Sequence, residues 1–263
     1  MERDVPSRLI GDLTFLEISK CLRASSILCM PIGSIEQHGP HLPLNTDVVL
    51  AEAYTRRFIA RWGERFDLWQ LPTLAISLAR EHDWAPGTLS LSIHSMTAFM
   101  RDLGREIMRS LPARNLAIIN AHGGNRGILE ALAQELRADF GLNICVLHPT
   151  AWLELDPKAK LLEIHGGKNE TSMMLALVPN LVRLDQIVQL QNPVNRDAVK
   201  ATILDQNVTW PWTTNEKQIA ELGVIGDAQA ASVEFGHRLL SQIEEMAEAV
   251  FKQLLDRQHL VRG

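Results

Sequence analysis

Three cysteines, one tyrosine and 5% aromatic residues leave this chain short of the groups that staple or decorate small secreted domains. Cys21, Cys29 and Cys145 are odd in number, widely spaced and set among apolar neighbours, which excludes a disulfide framework and a thiolate zinc site and leaves reduced core cysteines. No apolar run approaches the roughly 18 residues of a membrane span, and Glu2, Arg3 and Asp4 stand where a signal peptide would carry its apolar stretch, so a soluble cytoplasmic protein is expected. Blocks of like charge are also missing. With 26 Lys and Arg against 31 Asp and Glu, neither nucleic acid nor an anionic membrane is an expected partner. A serine elbow is excluded because Gly33-Ser34 runs on into Ile35-Glu36, and no cysteine stands beside a strand-end histidine. Gly123-Gly124 lacks the spacing of a dinucleotide loop. Repeats, low-complexity segments and linker-like shifts in composition are absent too, and 46% hydrophobic residues over 263 positions suffice for a sizeable core, so residues 1–263 are read as a single domain.

What is present is an alternation. Thr14-Phe15-Leu16-Glu17 is a capping-box pattern that opens a short helix reaching about Leu22, and Ser26 to Ile32 follows as a buried strand. Leu50, Ala51, Tyr54, Phe58 and Trp62 recur at helical spacing after a polar loop, with Asp47 at the expected N-cap. A second apolar run, Leu74 to Leu78, precedes another polar loop and a helix marked by Met100, Leu103, Ile107 and Leu111. Leu116 to Ile119 precedes a third loop and a helix with Ile128, Leu129, Leu132 and Leu136, and Ile144 to Leu147 is a fourth strand. Strands alternating with amphipathic helices imply an α/β fold, a mostly parallel sheet covered on both faces, with the polar loops gathered at its C-terminal edge. From Gln189 to Leu222 the periodicity weakens around Asn192-Pro193 and Trp210-Pro211-Trp212, which reads as an irregular excursion or an oligomer contact. Leu239 to Leu254 forms a long last amphipathic helix.

The chemistry sits in those loops. Glu36 and His38 are two apart, so an extended backbone turns both side chains to one side, and Asp47 is either a plain helix cap or a ligand, roles its two oxygens can combine. His41 lies in the same stretch. His122 follows the third strand in Asn120-Ala121-His122-Gly123-Gly124-Asn125, where the glycines allow close backbone approach and expose N–H groups to an anion, or else form a simple turn capped by Asn125. His165-Gly166-Gly167-Lys168-Asn169-Glu170 has the same form, and Glu170 in a first helical turn is favoured by the helix dipole whether or not it binds a ligand. Carboxylate and imidazole are donors shared by zinc, manganese and iron, and several such clusters on one sheet edge favour a metal site over coincidence. Trp84 and Trp152, each after an expected strand, are candidates to wall a pocket.

Pro31 through Asp47, His122-Gly123-Gly124-Asn125 and His165 through Ser172, with Glu81-His82, Pro86-Gly87-Thr88 and Gly223 through Asp227, together resemble the creatininase (creatinine amidohydrolase) family. The resemblance implies a three-layer α/β/α sandwich, hydrolysis of an amide-type C–N bond, a homohexamer, and two divalent ions per chain, zinc or manganese with iron also admissible. It implies Glu36, His38, Asp47, His122 and Glu170 as metal ligands, with Asp47 bridging, and His165 as proton shuttle, with Glu170 beside it as the second catalytic group. His82, Gly124, Asn125 and Lys168 join the two tryptophans as candidates for substrate contact. Creatininases proper carry a glutamate ligand where this chain has Gly124, so the second metal's shell must differ or lean on Glu170, and creatinine itself is a weaker assignment. Lys168 stands where many members have an acid, which suits a substrate with a negative group. A small cyclic amide or a formamide is the expected substrate, with a modified peptide or a sugar-derived ring as alternatives inside the family. A metal- or phosphate-binding module without turnover is the alternative outside it.

Overall fold

The computed structural model describes residues 8–153, 162–187, 194–205 and 207–261. Glu2, Arg3 and Asp4 lie outside these, as do Gln189, Asn192 and Pro193. Four strands, β1 (Ile27–Ile32), β2 (Leu68–Gln70), β3 (Asn115–Asn120) and β4 (Asn143–Leu147), form one parallel sheet in the order β2-β1-β3-β4. Every residue of β1 and β3 is buried, as a parallel sheet covered on both faces requires. The two-residue period of a strand sends alternate side chains to two separate cores. Ile27, Cys29, Ala117, Ile119 and Leu147 face helices α2 (Thr46–Phe66), α5 (Lys168–Leu177) and α8 (Val233–Asp256), whereas Leu28, Met30, Ile32, Leu116 and Ile118 face α3 (Ile93–Ser110) and α4 (Arg126–Phe140). The result is the expected α/β/α sandwich. The short α1 (Phe15–Cys21) opens with the expected capping box at Thr14, and α6 (Leu184–Ile187) and α7 (Arg196–Val199) lie between α5 and α8. Cys29 is buried and Cys21 and Cys145 are half-buried, all as free thiols.

Two expectations need correcting. The strand assigned to Leu74 to Leu78 belongs at Leu68–Gln70; Leu74 makes only an isolated bridge to Ile32, and the rest is extended chain. Its apolar side chains reflect burial rather than ladder pairing. Asp47 is also not the N-cap of α2: Asn45 holds that position and Asp47 is the second helical residue. Its carboxylate is thereby aimed away from the backbone donors of the first turn. At the far end, α2 stops where Asp67 turns to φ 50°. That left-handed residue is held by hydrogen bonds from Arg8 Nη1 at 3.2 Å, from Trp69 Nε1 at 2.8 Å and from Ser26 Oγ. The irregular excursion expected from Gln189 to Leu222 is helical over Arg196–Val199 and Lys200–Leu204, and only its later part is irregular: residues 207–227 fold back over the C-terminal edge of the sheet through contacts described below.

β1 connects onward to β2 on one side, and β3 then pairs on the other side of β1, so the strand order reverses between β1 and β3. Ligand sites in open α/β sheets form at such switch points. Here Ile32 pairs with Asn120, so the loops leaving the two strands emerge side by side. The closest helix crossing is that of α5 with α8. A Cβ on Gly236 would overlap the carbonyl of Ser172, two residues after Glu170. Gly236→Ala is therefore expected to lower unfolding free energy by about 1–3 kcal/mol, the usual cost of overpacking. An unchanged urea midpoint would show that α8 can yield at this crossing.

Candidate metal centre

The loop leaving β1 is folded tightly onto the start of α2. A Cβ on Gly33 would lie 2.5 Å from the Val48 nitrogen, so only glycine lets the loop pass there. Gly33 N donates to Leu74 O at 3.0 Å, Glu36 N to Leu44 O at 3.0 Å and Ser77 Oγ to Gly33 O at 2.7 Å. These contacts bring Glu36, His38 and Asp47 to one point, and the β3 loop brings His122 to it from the neighbouring strand. Asn120, Ser77 and Asn125 lock that second loop: Asn125 Nδ2 donates to Ser77 Oγ at 3.0 Å and to Asn120 Oδ1 at 3.1 Å, while Asn120 Nδ2 donates to His122 O at 2.6 Å.

Around Glu36 Oε1 lie His122 Nδ1 at 3.1 Å, His82 Nε2 at 3.3 Å, His165 Nδ1 at 3.8 Å and His38 Nε2 at 3.9 Å. Asp47 spans the group: Oδ1 is 3.1 Å from His38 Nε2 and Oδ2 is 3.1 Å from His122 Nδ1. Glu170 Oε2 approaches His38 Nε2 at 4.0 Å and accepts from Gly166 N at 2.6 Å. Three donor sets converge: Glu36, Asp47 and His122; His38, Asp47 and Glu170; Glu36, His38 and His165. Both Glu36 oxygens, Asp47 Oδ2 and His122 Nε2 are buried with no hydrogen-bond partner among the described residues. Buried carboxylate oxygens are costly when left so, and oxygen with imidazole nitrogen is the donor chemistry of divalent zinc, manganese or iron. The residues fit a metal ion.

Ring orientations follow from the outer partners of the imidazoles. His38 Nδ1 lies 3.2 Å from Glu36 O, to which it donates, so Nε2 is the nitrogen turned towards Asp47 and Glu170. His165 Nε2 donates to Gln37 O at 2.7 Å, which leaves Nδ1 bare towards Glu36. Gln37 Nε2 donates to His82 Nδ1 at 2.9 Å, so His82 turns an N–H towards Glu36. His165 stacks on His82 with centroids 4.1 Å apart, and His38 lies tilted against His165 at 4.3 Å.

The electrostatics divide these imidazoles into two kinds. Burial opposes a charge on His38, but Asp47, its hydrogen bond to that carboxylate, Glu170 and Glu36 prevail and push it up to about 10. His122 is likewise raised, against burial, by Glu36 and Asp47. The potential that favours a proton on these rings favours a metal cation between the same carboxylates. Burial, reinforced by His38 and His122, holds His82 down to about 2, and burial with His82 and His38 holds His165 well below the ordinary range. Burial raises Glu36, and it raises Glu170 to about 7 although His38 pulls the other way. Asp47 is lowered despite its burial, because His38 and His122 flank it.

Glu36, His38, Asp47, His122, His165 and Glu170 thus meet as expected, and His82 joins them. Trp84 adjoins the group, its Nε1 donating to Thr214 Oγ1 at 2.9 Å. Three residues expected to contact substrate have their side chains engaged by other partners. The Asn125 amide is committed to Ser77, Asn120 and the Leu78 N–H, Trp152 packs against the core under α2 and α8, and the Lys168 ammonium lies 4.2 Å from the Phe235 ring centroid. Gly124 has no side chain to offer; its Cα backs onto His122 and Glu81. Gln37, Glu81, Trp212 and Thr214 were not singled out from the sequence. Gln37 sits inside the ligand motif, which is a signal of a kind, whereas Thr214 lies in an aperiodic stretch that offers none. Yet Thr214 Oγ1 meets Gln37 Nε2 at 3.0 Å and His82 Nδ1 at 2.9 Å, and Trp212 stands edge-on to His82 at 6.5 Å.

A parallel α/β/α sandwich with buried carboxylates and imidazoles at its switch point is the architecture of a metal-dependent hydrolase. The family model for creatininase, described as creatinine amidohydrolase, matches residues 11–251, so the chain belongs to the creatininase family of hydrolases that act on carbon–nitrogen bonds. It is 31% identical over 257 residues to a mycofactocin precursor peptide peptidase of Mycobacterium tuberculosis, covering 91% of this chain and 89% of that one. It is also 31% identical over 268 residues to a creatinine amidohydrolase of Pseudomonas putida, covering 93% and 96%. A solved structure titled "Creatininase Mn" superposes with a TM-score of 0.75 at 28% identity over 94% of this chain and 99% of the other.

His41 supplies a pH test outside the ligand set. Its Nε2 lies 2.8 Å from Thr171 Oγ1, and burial, then the nearby His38, lower it to about 4. A base whose folded pKa is depressed takes up protons more readily when unfolded, so the stability it confers is whole above about 6.5 and is lost as pH falls towards 4. The melting temperature is expected to decline across that window, and to decline less in His41→Asn. Parallel curves for the two proteins would remove His41 from the acid limb.

Proposed function

We propose that this chain holds two divalent cations bridged by Asp47 and hydrolyses the C–N bond of a small cyclic amide or a formamide. The observation that carries the reading is the double membership of Asp47, whose two oxygens face His122 in one donor set and His38 in the other. Glu36, Asp47 and His122 would hold one ion, and His38, Asp47 and Glu170 the other. Ions bound there supply Lewis acidity, which brings a water's pKa towards neutrality and polarises a carbonyl. Glu36 is oriented for its part by the His82 N–H at 3.3 Å, and His82 is oriented in turn by Gln37. His165 is neutral with its bare Nδ1 turned inwards, so it can take a proton at that atom and release it to a leaving nitrogen. Trp84, Trp212 and Thr214 cover the side of the site next to His82. On the family resemblance the chain works as a single domain, in a cytoplasmic homohexamer.

A second reading has a specific observation in its favour. The identity to the mycobacterial peptidase equals that to the creatinine amidohydrolase, at 31%, so a peptide bearing a modified end belongs in the substrate screen.

Elemental analysis of the unchelated protein tests the ion pair. Near two moles of transition metal per chain is expected, with a sharp fall in Asp47→Ala; a wild type that holds none even after zinc or manganese is added would end the reading. His165→Ala should keep its metal and lose roughly two to four orders of magnitude in kcat, the usual scale for a general acid–base group. Metal loss in that variant would make His165 a ligand instead, and normal turnover would leave it without a role in proton transfer.

A further inference from the structure

Each imidazole of the centre has one nitrogen turned inwards and one turned out. The outer nitrogen of His38 meets Glu36 O, that of His165 meets Gln37 O, and that of His82 meets Gln37 Nε2. For His122, whose Nδ1 faces Glu36 and Asp47, the group at the outer side is Glu81, with Oε1 3.5 Å from Nε2. Glu81 lies on the short turn Arg80–His82, and its backbone is pinned from the irregular segment above, since Thr214 N donates to Glu81 O at 3.0 Å.

Gly124 explains how the carboxylate comes to be there. A Cβ at that position would overlap Glu81 Oε1 and lie 2.5 Å from His122 Nε2. The backbone itself does not call for glycine, because Gly124 is not among the residues with positive φ, where Gly39, Gly87, Gly141, Gly166 and Gly223 are found. Gly123, by contrast, has nothing within 4 Å of a Cβ. The space above Gly124 is thus filled by Glu81 from another loop.

We infer that Glu81 is the positioning residue of His122: its carboxylate, 3.5 Å from an Nε2 that has no hydrogen-bond partner among the described residues, closes to accept the outer Nε2–H when Nδ1 serves a metal, and Gly124 is glycine to leave room for it. This rests on the metal reading of the same centre. A carboxylate behind a ligating histidine fixes tautomer and ring orientation and raises the basicity of the ligating nitrogen. It is a role through His122, without contact between Glu81 and the ion.

The test is a zinc competition titration against a chromogenic chelator on the full-length protein, stripped and reloaded, for wild type, Glu81→Ala, Glu81→Gln and Gly124→Ala. Proton–nitrogen NMR of the histidine rings in the zinc-loaded samples reports the His122 Nε2–H directly. Glu81→Ala is expected to weaken one zinc site by roughly 10–100-fold and to lose the protected Nε2–H signal, the usual consequence of removing such a partner. Glu81→Gln, which keeps an acceptor oxygen, should recover part of both. Gly124→Ala should reproduce the loss with Glu81 still present, because the added methyl displaces it. Wild-type affinity in Glu81→Ala, or no recovery in Glu81→Gln, overturns the positioning role, and wild-type affinity in Gly124→Ala overturns the reason for the glycine. Wild type binding no zinc at all would overturn the metal centre itself, and this inference with it.

Discussion

Three carboxylates and four imidazoles share one buried volume at the end of β1 and β3, and the surrounding structure is arranged around the cost of putting them there. An unpaired buried charge costs several kcal/mol, so each carboxylate must find a positive or donating partner. Glu36 faces four imidazole nitrogens, Asp47 two, and Glu170 one together with a backbone N–H. Even so, several oxygens keep no hydrogen bond among the described residues. Such a site is held open by its scaffold: a loop that clears α2 only because position 33 is glycine, and a pair of Asn side chains committed to backbone groups, to Ser77, to His148 and to each other.

The same scaffold divides the imidazoles into two electrostatic kinds. His38 and His122 lie between carboxylates and attract positive charge, whereas His82 and His165, stacked one layer out, are kept neutral by burial and by their charged neighbours. Gln37 stands at the centre of the outer layer, with its side-chain amide on His82 and its backbone carbonyl on His165. One residue therefore orients both a support for Glu36 and the group assigned to carry protons. The irregular 207–227 segment is fastened to that layer through Thr214, which joins the most weakly patterned part of the chain to the site.

Legibility varied by element for physical reasons. Helical periodicity placed α2, α3, α4 and α8 well, because a surface helix must bury one stripe and expose the other. The strand at Leu68–Gln70 was missed because three residues are too short for any pattern, while Leu74 to Leu78 looked like a strand because burial favours apolar residues whether or not they pair. Lys168, Asn125 and Trp152 stand near the ligands in sequence, yet their side chains are taken up by Phe235, by Ser77 and Asn120, and by the core. Nearness in sequence does not give the direction of a side chain.

The residue types and local spacing of Glu36, His38, Asp47, His122, His165 and Glu170, with the alternation of strands and helices, were enough to reach the family, the sandwich and the cluster of candidate metal donors, because those properties are written in short stretches of chain. Which nitrogen of each ring faces inwards, that Gln37 joins His82 to His165, and that Glu81 fills the space above Gly124 depend on contacts between residues up to about 130 positions apart in the chain. Such contacts exist only once the crossovers have laid β1 beside β3, and no local pattern can encode them.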